Sequence, residues 1–257
     1  MKKSCCFIGL MGLSFFTPTI FAQTTPGQTQ QAEFALGIGV ASFQTAQKGV
    51  KAKQIAMPLV SYQGERLSFQ VTTLSYKMAE FEGVAISALV SGRIQGYEAA
   101  DSPYLQGMKM RSDTVDGGIS VDWNGFSLSY KHDLLSKHQG DEVALFYSKG
   151  FDFGKLQLMT GAGLSWQSKK LNQYYFGVND SEARNFMVQG QLFNRTEYRV
   201  DAALIPKVNA MAIYSLSPSW AFIGGGEVEV LPEEITDSPI MGEKNAWGVF
   251  IGIVRNF

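Results

Sequence analysis

The run WGVFIGIVRNF, residues 247–257, decides how the chain is to be read. Trp247, Val249, Ile251 and Ile253 recur at every second position, Gly252 sits among the small residues between them, and the series ends on Phe257. A period of two is a strand with one apolar face and one small or polar face. A last strand that stops on an aromatic is the form in which bacterial outer-membrane barrels close, and these residues are the expected signal to the barrel-assembly machinery. Arg255 interrupts the apolar face one step before the end.

The start of the chain agrees with export. Lys2 and Lys3 precede an apolar stretch, Phe7 to Phe16, and Ile20-Phe21-Ala22 offers a small residue at a cut, so 1–22 reads as a cleaved signal peptide. The apolar stretch is shorter than the roughly 20 residues that a spanning helix needs. Cys5 and Cys6 both fall inside it, and Gln23 stands where a lipoprotein would carry its cysteine. The mature chain then has no disulfide, thiol nucleophile or thiolate-bound metal. Its net charge moves from −1 for the whole chain to −3 without Lys2 and Lys3. That is no footprint for nucleic acid. Residues 23–33 form a polar leader expected to be a flexible periplasmic lead-in, and the domain proper runs from 34 to 257.

Beyond residue 22 no uninterrupted apolar stretch reaches the length of a membrane helix. A non-helical chain crosses lipid only as a closed barrel, with about ten alternating residues per crossing. Phe34-Leu36-Ile38-Val40, Val84-Ile86-Ala88-Val90 and Leu156-Leu158 through Leu164-Trp166 fit that pattern, each opposite small or polar residues. So do Val115, Ile119, Val121 and Trp123 opposite Asp116 and Asp122, and Trp220, Phe222, Val228 and Val230 opposite Glu227 and Glu229. The apolar faces would meet outer-membrane lipid. The other faces would line a lumen carrying Arg93, Asp116, Asp122, Lys131, Glu142, Lys207, Glu227 and Glu229, with the last two paired to Arg93, Lys131 or Lys207.

Short turns at 63–66, 124–125, 152–155 and 217–219, with another near 80–83, alternate with longer polar stretches at 44–53, 96–114, 134–141, 168–199 and 232–245. Short turns face the periplasm and long loops the outside. Strands are thereby predicted at 34–43, 54–62, 66–72, 73–80, 83–95, 115–123, 126–133, 142–150, 155–167, 200–216, 219–231 and 246–257. The fold class is all-β, a transmembrane antiparallel barrel of about twelve strands, or ten if the 66–80 hairpin is dropped. A soluble β-sandwich would alternate too, with its apolar face inward and no need of Phe257. Trp123, Trp166, Trp220, Trp247, Tyr62 and Tyr130 suit an interfacial girdle.

Three local patterns resemble the MipA/OmpV family of outer-membrane proteins. Tyr174-Tyr175-Phe176-Gly177-Val178 with Glu182-Ala183 is similar to its tyrosine-rich loop. Leu231 with Thr236-Asp237-Ser238-Pro239-Ile240 is similar to the element before its last strand, and Leu105, Gly107, Met108 and Arg111 to its LxGM…R segment. The resemblance runs over about 34–257 and implies an envelope barrel. It further implies a scaffold joining a murein hydrolase (a lytic transglycosylase) to a murein synthase, or else a porin-like or adhesin role. It carries no catalytic residue and no cofactor. The tyrosine-rich stretch is expected to fold inward as a plug or to pack on the rim.

Other chemistry is thin. His132-Asp133 with Ser129 hints at a hydrolase, but adjacent strand residues point to opposite faces. His132 and His138 lack the pattern of a metal site. Gly37-Ile38-Gly39 lies in a strand without a following helix, so it is no dinucleotide loop. Gly224-Gly225-Gly226 reads as a strand kink or a crowded spot.

Overall fold

The computed structural model describes residues 33–257; the expected signal peptide at 1–22 and the expected leader up to 32 lie outside the described residues. Twelve antiparallel strands close into a barrel. They are β1 (Glu33–Gln44), β2 (Lys53–Gln63), β3 (Leu67–Gln70), β4 (Thr73–Phe81), β5 (Val84–Arg93), β6 (Thr114–Trp123), β7 (Phe126–Asp133), β8 (Asp141–Phe153), β9 (Leu156–Gln167), β12 (Ala203–Ser217), β13 (Trp220–Val230) and β14 (Asn245–Asn256). The 66–80 segment is a true hairpin, so the count is twelve and not ten. Glu33, placed by sequence in the leader, already belongs to β1. The chain's two ends zip together: β14 pairs with β1 from Ala35↔Asn256 to Gln44↔Trp247.

The strands form where side chains alternate and break where turn chemistry intervenes. Asn124-Gly125 takes positive φ at both positions, +48° and +84°, the twist that a two-residue hairpin requires. Outward positions carry the apolar side chains. On β1 these are Phe34, Leu36, Ile38 (72 % exposed) and Val40, and on β14 Val249 and Ile251 (61 %). An apolar exterior of this extent fits lipid rather than water. Phe81, Trp123, Phe126, Phe153, Trp220 and Phe257 ring the short-turn end as an aromatic girdle. Arg255 finds its place there, its guanidinium 4.9 Å from the Phe257 ring centre and 6.0 Å from that of Trp220.

The long loops hold structure that periodicity did not reveal. Between β9 and β12 lie α1 (Lys169–Phe176), a short 3-10 turn (Asp180–Glu182) and a hairpin of β10 (Arg184–Val188) with β11 (Gln191–Arg195). The β5–β6 loop carries two 3-10 turns, Ala99–Asp101 and Pro103–Leu105, and α2 (Glu233–Thr236) precedes β14. The largest cluster of buried apolar side chains is built from these loops, with Leu105, Leu171, Tyr175, Val178, Val200, Ile235 and Ile240 at its centre. A second, smaller cluster of Ala41, Met57 and Leu59, with Ile223, Phe250 and Val254 packed on it, lies inside the barrel.

A cation on the lipid face should be costly where it meets hydrocarbon. Ile38→Lys, near the middle of β1, is expected to destabilise the barrel by about 2–4 kcal/mol. Denaturant unfolding in lipid vesicles measures it, with Glu33→Lys at the rim costing no more than about 1 kcal/mol.

Candidate functional site in the capped lumen

The lumen is crossed by a belt of charges. Arg93 at the end of β5 reaches Asp116 on β6 at 2.6 Å and Glu142 on β8 at 3.0 Å, and Lys131 on β7 reaches Glu142 at 2.7 Å. Lys207 and Glu229 are register partners across the β12–β13 hairpin and form an ion pair at 2.5 Å. These side chains are mostly buried, and each ion is offset by an opposite one, the condition for keeping charge away from water. Glu227 departs from the expected pairing: no cation comes within ion-pair distance among the described residues, and it lies in the walls of two cavities. Asp122 is also outside the belt, near the short-turn end of β6, where it accepts from the Ser120 hydroxyl at 3.0 Å.

His138, in the β7–β8 loop, extends the belt upward. Its Nδ1 accepts from the Gly140 N–H at 3.0 Å, which places the proton on Nε2, 3.3 Å from Asp116. Asp133 is nearby, but its oxygens already accept from the Thr114 hydroxyl and from the N–H groups of Leu135, His138 and Gln139. Asp116, Asp133 and His138 are close enough to share a cation. Yet Arg93 supplies the positive charge there, and the donors fill the carboxylates. His132 points away from this group and bonds Asp141 at 2.9 Å, so His132, Asp133 and Ser129 do not assemble a hydrolytic triad.

Above the belt the loops form a cap in which the three sequence patterns meet. Arg111 donates to Glu182 at 2.9 Å and to the carbonyl of Tyr174. The Glu182 carboxylate also accepts from the N–H of Lys109 and of Asn179. The Tyr174 hydroxyl accepts from the Ser112 N–H at 2.8 Å, and the Tyr175 hydroxyl donates to the Ser112 carbonyl at 3.3 Å. Ser238 donates to the Phe176 carbonyl at 2.6 Å, which ties Asp237-Ser238-Pro239 to the end of α1. Val178 exchanges backbone bonds with Tyr198, and Gly177 donates to the Gln173 carbonyl as α1 ends. Leu105 and Met108 are buried in the cap core, and Ala183 follows Glu182 out of its turn. Gly107 takes φ +75°, and a side chain there would collide with the Arg184 guanidinium. The plug alternative is the one seen: Tyr175 packs with its ring centre 5.9 Å from that of His138, directly over the belt.

A family model described as MltA-interacting protein MipA matches residues 36–257. The chain belongs to that family. Relatives include the putative outer membrane protein YiaT of Escherichia coli O157:H7, 24 % identical with 93 % of this chain and 96 % of the relative covered. Outer membrane protein OmpV of Vibrio cholerae is 25 % identical over the full length of both chains. The MltA-interacting protein of Escherichia coli K12 is 22 % identical, covering 88 % of this chain and 91 % of its own. The chain is therefore an outer-membrane β-barrel protein of the MipA/OmpV family.

In this MipA/OmpV barrel the residue that sequence reasoning missed is Arg195. It is fully buried at the end of β11 and donates to the carbonyls of Tyr104, Gln106 and Glu182. Nothing in its local sequence marks it, because its acceptors are backbone oxygens up to 91 residues away. Burial alone would raise the Glu182 carboxyl, but the Arg111 hydrogen bond and two backbone N–H donors outweigh it and hold the group below the usual carboxylate range. Burial pushes the phenols of Tyr97 and Tyr175 up, so both stay neutral at any physiological pH.

Since Glu182 titrates lower in the folded cap than in an unfolded chain, its contribution is full at neutral pH and is lost as pH falls through its folded value. Limited proteolysis reads this directly. The 168–199 segment should resist cleavage at neutral pH and become cleavable in acid. Arg111→Ala should open it already at neutral pH, by about 3 kcal/mol of lost protection, because the Glu182 charge is left unpaired.

Proposed function

We propose that this protein is a non-conducting envelope scaffold for murein enzymes rather than a porin or a catalyst. The lumen supports this reading most. Six of its charges, Arg93, Asp116, Glu142, Lys131, Lys207 and Glu229, are spent on one another, and Tyr175 and Phe176 lie over them. A pore needs standing water along its axis. An enzyme needs a nucleophile within reach of a base, whereas the His138–Asp116 pair is closed in by Arg93, Asp133 and the Tyr174 and Tyr175 rings, and the nearby Thr114 hydroxyl is spent on Asp133. The relative named MltA-interacting protein supports a lytic transglycosylase as one partner. The surface for it would be the short-turn end, where Glu65, Arg66, Glu82, Asp152 and Lys155 are exposed.

A surface-binding role is a second reading, favoured by the cap hairpin. Met187 and Leu192, paired across β10 and β11, are 61 % and 68 % exposed at the outer end, an unusual place for apolar side chains.

Two measurements on one preparation test the scaffold. In planar bilayers the protein should insert without step conductance; steady channels would establish the porin instead. A photo-crosslinker at Glu65 or Lys155 should capture a murein hydrolase from envelope extract, and one at Leu192 should not. Capture from Leu192 alone would move the function to the outer surface.

A further inference from the structure

The barrel wall has a gap. β2 pairs with β3 only through Ser61, Tyr62 and Gln63, because β3 is four residues long. A last backbone bond from the Val71 N–H to the Val60 carbonyl closes that seam, and on the far side the Gly92 N–H bonds the Thr72 carbonyl. Above the β3–β4 turn, β2 pairs with β1 alone among the described residues. Since Val60 turns its carbonyl toward β3, the same edge is presented by Pro58, Ala56 and Gln54 at alternate positions. Pro58 has no N–H to leave unpaired, and proline is the residue that unpaired sheet edges tolerate. The Lys53–Asp101 ion pair at 2.8 Å spans the gap's outer side and makes it a window rather than an open slot.

Behind the window lies an apolar cavity of about 100 Å³ inside the barrel, with Met57, Leu59, Val71, Met211, Ile223 and Phe250 in its wall. Val60 and Val71, which form the window's sill, also line this cavity, so the two are continuous. Val71 holds φ +49°, a strained conformation for a β-branched residue, and it packs against the small core inside the barrel. At the cavity's upper end sit Asn209 and Glu227, register partners on β12 and β13. The Asn209 Nδ2 is buried without an acceptor. A buried donor left unsatisfied costs about 1–3 kcal/mol and asks for a partner.

We infer that this cavity is a binding site for the alkyl chain of a membrane-dissolved amphiphile, admitted sideways from the bilayer through the window between β2 and β5. Outward side chains beside the window are Leu74 and Val90, both exposed to the lipid side, so the path to it is through hydrocarbon and not through water. An apolar cavity of comparable size, ~150 Å³, stays dry and takes a benzene ring, so this one accepts a segment of chain. The head is uncharged and bears a hydroxyl. It accepts from Asn209 and donates to Glu227, which excludes a carboxylate beside that acid. The site is independent of any role in murein assembly.

The test uses the mature protein in lipid nanodiscs. The probe is monodecanoylglycerol with a diazirine in its chain, and adducts are mapped after illumination. Met57, Leu59 and Ile223 should be labelled above lipid-facing Ile38 and Ile251. Met211→Trp, which fills the cavity, should cut the inner labelling roughly tenfold, equivalent to about 1.4 kcal/mol. Val208→Trp on the lipid face should leave it unchanged. Heat-dependent gel mobility checks that each variant is folded, and Ile213→Phe substitutes if Met211→Trp is not. Inner labelling no higher than at Ile38 and Ile251 overturns the site. Inner labelling by an aqueous diazirine butanol, with none from the membrane-dissolved probe, overturns the lateral route.

Discussion

A backbone N–H or C=O without a partner costs several kcal/mol in hydrocarbon, where no water can relieve it. That one constraint organises the molecule. It forces the β1–β14 seam, which runs almost the whole length of both strands. It sets where turns can lie: beyond the lipid, or, for the β3–β4 turn in the wall, where Val60 accepts from the Val71 N–H and Gly92 donates to the Thr72 carbonyl. The loops that carry irregular structure accordingly fold over the barrel mouth, where backbone carbonyls of Tyr104, Gln106, Tyr174 and Glu182 are met by Arg195 and Arg111.

The lumen answers to the same electrostatics from the other side. Alternation places every second residue inside, and twelve strands enclose little room, so inward charges must be matched locally or stay wet. At the outer half all but Glu227 of the belt charges are matched: Glu142 receives both Arg93 and Lys131, and Lys207 receives Glu229. At the inner half the lining turns apolar. Gly39 and Gly252 lie opposite each other across the β1–β14 seam, and a side chain at position 252 would strike the end of Leu59. Gly252 therefore makes room for a lumen residue, a role separate from any in assembly. Gly225 does the same for Phe250, whose ring a Cβ there would touch at 3.0 Å.

Much of the wall was legible in the sequence because two local rules act together. Period-two alternation gave strands such as β1, β5, β9, β13 and β14 their faces, and turn chemistry gave hairpins such as Asn124-Gly125 their centre, whereas the Val71-Thr72 turn carries no such chemistry. The Lys207–Glu229 pair follows from the 217–219 turn together with a bulge between Ser215 and Ser217, which sets positions 207 and 229 opposite each other. The pairing expected for Glu227 failed for the same reason: its register partner is Asn209, not a cation. The cap was illegible. Gln189-Gly190, with φ +51° and +80°, is a two-residue hairpin turn, but it sat in a stretch without alternation strong enough to expose β10 and β11. Arg195 and Glu182 give no local sign of burial, because their partners are distant in sequence.

The wall and the cap constrain their residues differently. A lipid-facing wall demands only that an apolar side chain recur at alternate positions, and Leu, Ile, Val, Phe and Met satisfy that demand about equally. The cap demands particular atoms. Glu182 must offer two oxygens to Arg111, Lys109 and Asn179, Gly107 must leave room for Arg184, and Ser238 must donate to the Phe176 carbonyl. No isostere of the guanidinium meets the three carbonyls around Arg195. Side chains fixed by hydrogen-bond geometry tolerate few replacements while those fixed by hydrophobicity exchange readily, so the residues most constrained in identity fall where the fold is least regular.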